Sequence, residues 1–109
     1  VARVTALIDD LLFGSKAMGL LGAAGHEVSL LPRVPGDLAT TADVVVVDLT
    51  TGTIPDGVVL AGGPKVLGVF AHVEPEVRER ALAAGFDLVV PRSRFMRDGA
   101  ALVAQLAAG

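Results

Sequence analysis

Three carboxylates in this sequence are of a type and placement that could do chemistry together. Asp9 and Asp10 follow an apolar run near the start, and Asp48 follows Val44-Val45-Val46-Val47. If both runs are parallel strands of one sheet, their C-terminal ends share the crevice where open α/β sheets bind ligands. Carboxylates gathered there repel one another, which raises one pKa or recruits a cation. Thr50-Thr51-Gly52-Thr53 comes next. It reads either as a small anion-binding loop with exposed amides or as a plain strand-to-helix connection. Arg92, Arg94 and Arg97 form a basic group near the other end. They read as a solvated face, or as an attraction for an acidic partner. His72 is read as a loop or helix-entry residue, because no Ser or Cys nucleophile with an orienting partner accompanies it. His26 is read as a surface residue opening a strand. Gly62-Gly63-Pro64 lacks the spacing of a phosphate loop.

The elements that must position these residues follow from pattern. Four consecutive valines between aspartates make a strand buried on both faces of a parallel sheet. Val1 to Ile8 is a first strand closed by Asp9-Asp10. Leu12, Ala17, Leu20, Leu21 and Ala24 recur at helical spacing, and Gly25 stops that helix. His26 to Leu31 is an edge strand ended by Pro32. Pro35 to Ala42 holds only a short helix, with Asp37 as a possible cap. After the valine strand, residues 51–57 are loop and Val58 to Gly62 is expected to form one helical turn. Lys65 to Ala71 is the fourth strand. Glu74 to Gly85 is the clearest helix, with Pro in its first turn and Gly at its end. Phe86 to Val90 is the fifth strand, ended by Pro91, and Asp98 is expected to cap the last helix. Strands alternating with helices under right-handed crossovers give a three-layer, doubly wound α/β domain over residues 1–109.

Bulk properties narrow the function classes. With 109 residues, 52% of them hydrophobic and 19% charged, the chain is one folded domain and not a disordered segment. The net charge of −3 argues against nucleic acid as a partner, since phosphate binding needs a basic surface. Cysteine is absent, which removes disulfides, thiolate metal sites and cysteine nucleophiles. No apolar run approaches the ~18 residues of a membrane span, and the first apolar segment lacks the marks of a signal peptide. A cytoplasmic protein without membrane contact is expected. Four Phe and no Tyr or Trp leave little to stack on a base, a sugar or a flavin ring.

The order and length resemble the receiver domain of two-component response regulators, a flavodoxin-like sandwich of five parallel strands in the order 2-1-3-4-5. The residues that carry the resemblance are Asp9-Asp10, Ala-Ala-Gly-His-Glu-Val from Ala23 to Val28, and Val44 to Leu49. Asp56-Gly57, Phe70-Ala71-His72, Arg78 to Asp87 and Val89-Val90-Pro91-Arg92-Ser93 complete it. The resemblance implies that Asp48 stands at the phosphoacceptor position. It implies an acidic pair for Mg²⁺, so that Asp9, Asp10 and Asp48 are the candidate metal ligands. It places Phe70 where the family has a Ser or Thr, and Arg92 nearest to where it has a Lys.

A phenyl ring donates no hydrogen bond to phosphate, and Phe70 is expected to crowd the crevice. Arg is not equivalent to a compact ammonium. The expectation is therefore a pseudo-receiver: a stand-alone signalling module, not an enzyme, acting through protein contacts, without phosphorylation and with no cofactor required. Its contact surface, for a partner or a homodimer, is expected where receiver relatives use helix four, strand five and helix five. Here that is Val77 to Gly85, Phe86 to Arg94 and Ala100 to Ala107. The alternatives are a single-domain response regulator phosphorylated on Asp48 with Mg²⁺, and a flavodoxin-like small-ligand binder using the Asp48 to Gly52 loop.

Overall fold

The valine strand is the centre of the molecule. In the computed structural model, which describes residues 2–71 and 75–109, it forms β3 (Val44–Asp48), and Val44 to Val47 are each at most 1% exposed. Around it lie β1 (Arg3–Leu7), β2 (Glu27–Leu31), β4 (Lys65–Phe70) and β5 (Leu88–Pro91). All neighbours pair in parallel, in the order β2-β1-β3-β4-β5. The sandwich expected from the sequence is the one observed. The edge strand β2 is half exposed along its length, as its mixed pattern implied.

Alternation along each strand divides the core in two. Val44 and Val46 face one side, with Val4, Ala6, Leu67 and Val69, under α1 (Leu11–Ala23) and the last helix. Val45 and Val47 face the other, with Val66, Phe70 and Val89, under α2 (Leu38–Thr41) and α3 (Pro75–Ala84). The last helix, α4, spans Arg92–Ala108. Gly25, at φ 91° just past α1, provides the left-handed turn that ends it.

Three local expectations are corrected. Val58 to Gly62 forms no helical turn, and the connection from β3 to β4 carries no helix. Gly57 and Gly62 adopt positive φ there, flanked by Pro55 and Pro64, so a helix cannot propagate. Val58 is buried all the same and helps seal the second core. Leu12, expected on the inner face of α1, is 68% exposed, and Phe13 takes the inner place. Asp98 does not cap the last helix. Helical geometry begins at Arg92, directly after the extended Pro91, because Phe95, Gly99, Leu102 and Val103 form one continuous buried stripe. Asp98 instead lies within α4, 3.2 Å from Arg97 and 3.9 Å from Arg94. Asp37 precedes α2 without a side-chain capping bond, while its carbonyl accepts from the hydroxyls of Thr40 and Thr41.

His26 is also corrected. It is 9% exposed, with both ring nitrogens engaged. Nδ1 accepts from the Ala2 amide at 3.1 Å, which leaves the proton on Nε2 to donate to the Ala100 carbonyl at 3.2 Å. No helix among the described residues is long and apolar enough to cross a membrane.

Candidate functional site

A crevice of about 240 Å³ opens at the C-terminal ends of β1 and β3, lined by Asp9, Asp10, Asp48, Thr50, Thr51 and Arg92 among others. Each reaches it for a local reason. Asp10 is the N-cap of α1: its Oδ1 accepts the amides of Leu12 and Phe13 at 3.0 and 3.1 Å. Asp48 ends β3 and folds back on the following turn, where its Oδ1 accepts the Thr50 amide at 3.1 Å and the Thr50 hydroxyl. This is the Asx geometry that Asp favours at strand ends. Arg92 arrives from the first turn of α4, on the far side of the sheet's centre.

Arg92 is the hub. Its Nη2 donates to Asp48 Oδ2 at 2.9 Å and its Nη1 to Asp10 Oδ2 at 3.3 Å. The guanidinium carbon lies 4.2 Å from the centroid of the Phe13 ring, in cation–π position. Phe13 in turn meets Phe95 edge to face, with centroids 5.9 Å apart. Nε is buried and has no hydrogen-bond partner among the described residues. A cation at a helix N-terminus faces the positive end of the helix dipole, so the two carboxylates supply the offset. The Asp48 side chain is only 10% exposed and that of Arg92 25%, whereas that of Asp10 is 44%. The Asp10 carboxyl lies below its ordinary pKa, first because the Phe13 amide bonds to the carboxylate, opposed by desolvation and helped by Arg92.

The candidate residues thus part company. Asp10, Asp48 and Arg92 converge, and Asp9 lines the same crevice with its side chain exposed. Phe70 does not crowd the crevice. It is 8% exposed and turns into the second core beside Leu7, Val47 and Val77, because its place on β4 alternates with Val69. Pro91, paired with Phe70 at the end of β5, has no amine to offer, and Arg92 covers the distance from the next position. Arg94 and Arg97 point elsewhere and pair with Asp98. Thr51 and Thr53 face the crevice, while the Gly52 carbonyl accepts from Arg80 of α3 at 3.0 Å. His72 lies outside the described residues.

The donor set does not fit the Mg²⁺ that the resemblance implies. Among the described residues, no group of three or more His, Asp or Glu side chains stands in ligand geometry. The inner oxygens of Asp10 and Asp48 already hold a fixed guanidinium, and their other oxygens hold N–H and O–H donors. Sequence reasoning singled out each of these residues but not the ion cluster they make. Nor did it find Phe13, since an inward aromatic on a helix reads as core whether or not a cation sits on it.

No protein-family model matches the sequence, and no curated protein matches it. Solved structures do. A response regulator receiver domain protein from Clostridium thermocellum superposes with a TM-score of 0.78 at 15% identity, covering 99% of this chain and 95% of that one. A CheY-like receiver domain protein from Methanospirillum hungatei JF-1 gives 0.76 at 17% identity, covering 99% and 94%. A response regulator from Thermotoga maritima gives 0.76 at 13%, covering 98% of both. The chain therefore has the receiver-domain fold.

Proposed function

We propose that this chain is a receiver-like signalling module that acts through protein contacts, without phosphorylation of Asp48. The observation that carries the reading is the state of the Asp48 carboxylate. To attack phosphorus it would need a free lone pair in line with the leaving oxygen, and a cation on the transferring oxygens. One oxygen instead accepts from Thr50 and the other from Arg92. The end of β4 offers a buried phenyl ring where a hydroxyl would have to read the product. At about 240 Å³ the crevice is also smaller than the roughly 300–1,000 Å³ of ordinary small-molecule pockets, which favours protein contacts over ligand storage.

The contact surface is the face of α3, β5 and α4. Glu76, Arg78, Glu79 and Arg80 are exposed on α3, and Arg94 and Arg97 on α4. Leu82 is 38% exposed on α3 and gives this mixed-charge face one apolar point. Charges of both signs around an apolar point suit a specific, polar-rimmed contact.

The test is chemical. The protein is incubated with acetyl phosphate and Mg²⁺, or with beryllofluoride and Mg²⁺, and followed by intact mass and amide NMR. Neither a phosphoryl adduct nor shifts around Asp48 are expected. A stable adduct that disappears in Asp48→Asn would overturn the reading.

A further inference from the structure

The geometry points to Arg92 as a built-in cation, occupying the space between Asp10 and Asp48 and closing the crevice to divalent ions for as long as its guanidinium stays there. The inference rests on the reading of the crevice above and deepens it, since it says what holds the site shut. Three observations carry it. One planar fork reaches both carboxylates, 2.9 Å to Asp48 and 3.3 Å to Asp10, as a bridging ion would. The Phe13 ring, 4.2 Å away, backs the cation from the apolar side. Nε is buried without a partner among the described residues, so the side chain is not placed there to complete its own hydrogen bonds. It is placed where the two carboxylates and the ring put a positive charge.

The consequence lies in what Arg92 displaces. Mg²⁺ keeps several of its waters and is commonly held by one or two carboxylates. Asp10 and Asp48 present two such carboxylates once the guanidinium is gone, and Asp9 lines the same crevice. Replacing Arg92 by Met keeps an apolar chain against Phe13 and removes the charge. Two facing carboxylates are then left with no counter-ion, the condition under which a carboxylate pair recruits one.

The experiment is a titration with Mn²⁺ followed by NMR line broadening, and with Mg²⁺ by calorimetry, without any phosphoryl donor. The intact chain, Arg92→Met, Arg92→Gln and Arg92→Met/Asp48→Asn are compared. The intact chain is expected to show no saturable binding. Both single variants are expected to bind saturably, with a Kd at least about tenfold below the highest concentration at which the intact chain shows no binding, with broadening centred on Asp10 and Asp48, and the double variant is expected to lose the gain. Saturable Mg²⁺ binding by the intact chain overturns the proposal, and that measurement needs no variant to fold. So does the absence of any gain in whichever single variant keeps the native amide spectrum. The two readings fail separately. Mg²⁺ binding by the intact chain without a phosphoryl adduct sinks the built-in cation alone, while an adduct on Asp48 sinks the proposed function.

Discussion

Asp10 and Asp43 show what a carboxylate does here when it is structural. Asp10 caps α1 and faces Arg92. Asp43 accepts the Arg3 amide at 2.8 Å and pairs with the Arg3 guanidinium at 3.2 Å, tying the start of β3 to β1. Both lie below the ordinary carboxylate pKa, Asp10 chiefly through the Phe13 amide and Asp43 chiefly through the Arg3 side chain. A depressed folded-state pKa contributes stability that is fully present above the unfolded value of about 3.9 and is lost as pH falls through the folded value. The contribution of these two groups to the urea midpoint should therefore hold steady from neutral pH down to about pH 4.5 and then fall. In Asp10→Asn/Asp43→Asn the acid limb should be shallower, and an unchanged limb would remove these two groups from the account. The residue types at Asp10, Asp48 and Arg92 were visible in the sequence, as was the loss of a hydroxyl at Phe70. Their joint arrangement was not, because the distances between them depend on where α4 begins.

At the scale of elements, the glycines separate local tolerance from close packing. Gly19 lies on the exposed face of α1, where an added Cβ would meet nothing within 4 Å. Gly19→Ala should stabilise by about 0.4–1 kcal/mol through the unfolded chain and helix propensity. Gly68 lies in β4, where a Cβ would come within 2.7 Å of Leu49 and 3.0 Å of the Phe86 ring. Gly68→Ala should cost about 1–3 kcal/mol by overpacking. Thermal and urea unfolding of the pair decides the point, and equal effects at the two positions would refute it. Helical spacing in α1 showed that the helix exists. It put Leu12 inside and missed that Phe13 takes that place, because the phase of a largely apolar helix is set by the sheet beneath it and not by its own pattern. The strand pattern was more informative. A run of β-branched residues has one efficient burial, on both faces of a parallel sheet.

Across the whole molecule, His26 joins parts that are remote in sequence: the entry to β1 through Ala2 and the body of α4 through Ala100. His26→Ala leaves a buried amide and a carbonyl without their partner and should cost about 1–3 kcal/mol. Hydrogen exchange should report faster opening at the start of β1 and in α4 than elsewhere, whereas a uniform change would argue against a local tie. The alternation of strands and helices, the two-sided burial of Val44 to Val47 and the half-exposed edge at β2 were determined by the sequence alone, through apolar periodicity and right-handed crossovers, while the strand order was implied by the resemblance to receiver domains. The crevice was decided by tertiary structure. Whether Asp48 meets Mg²⁺ or a guanidinium depends on Pro91 ending β5 and α4 starting at once, which swings Arg92 over Phe13 and between two carboxylates. No local pattern encodes that contact, because its groups come from separate elements and meet only when the sheet aligns the ends of its strands.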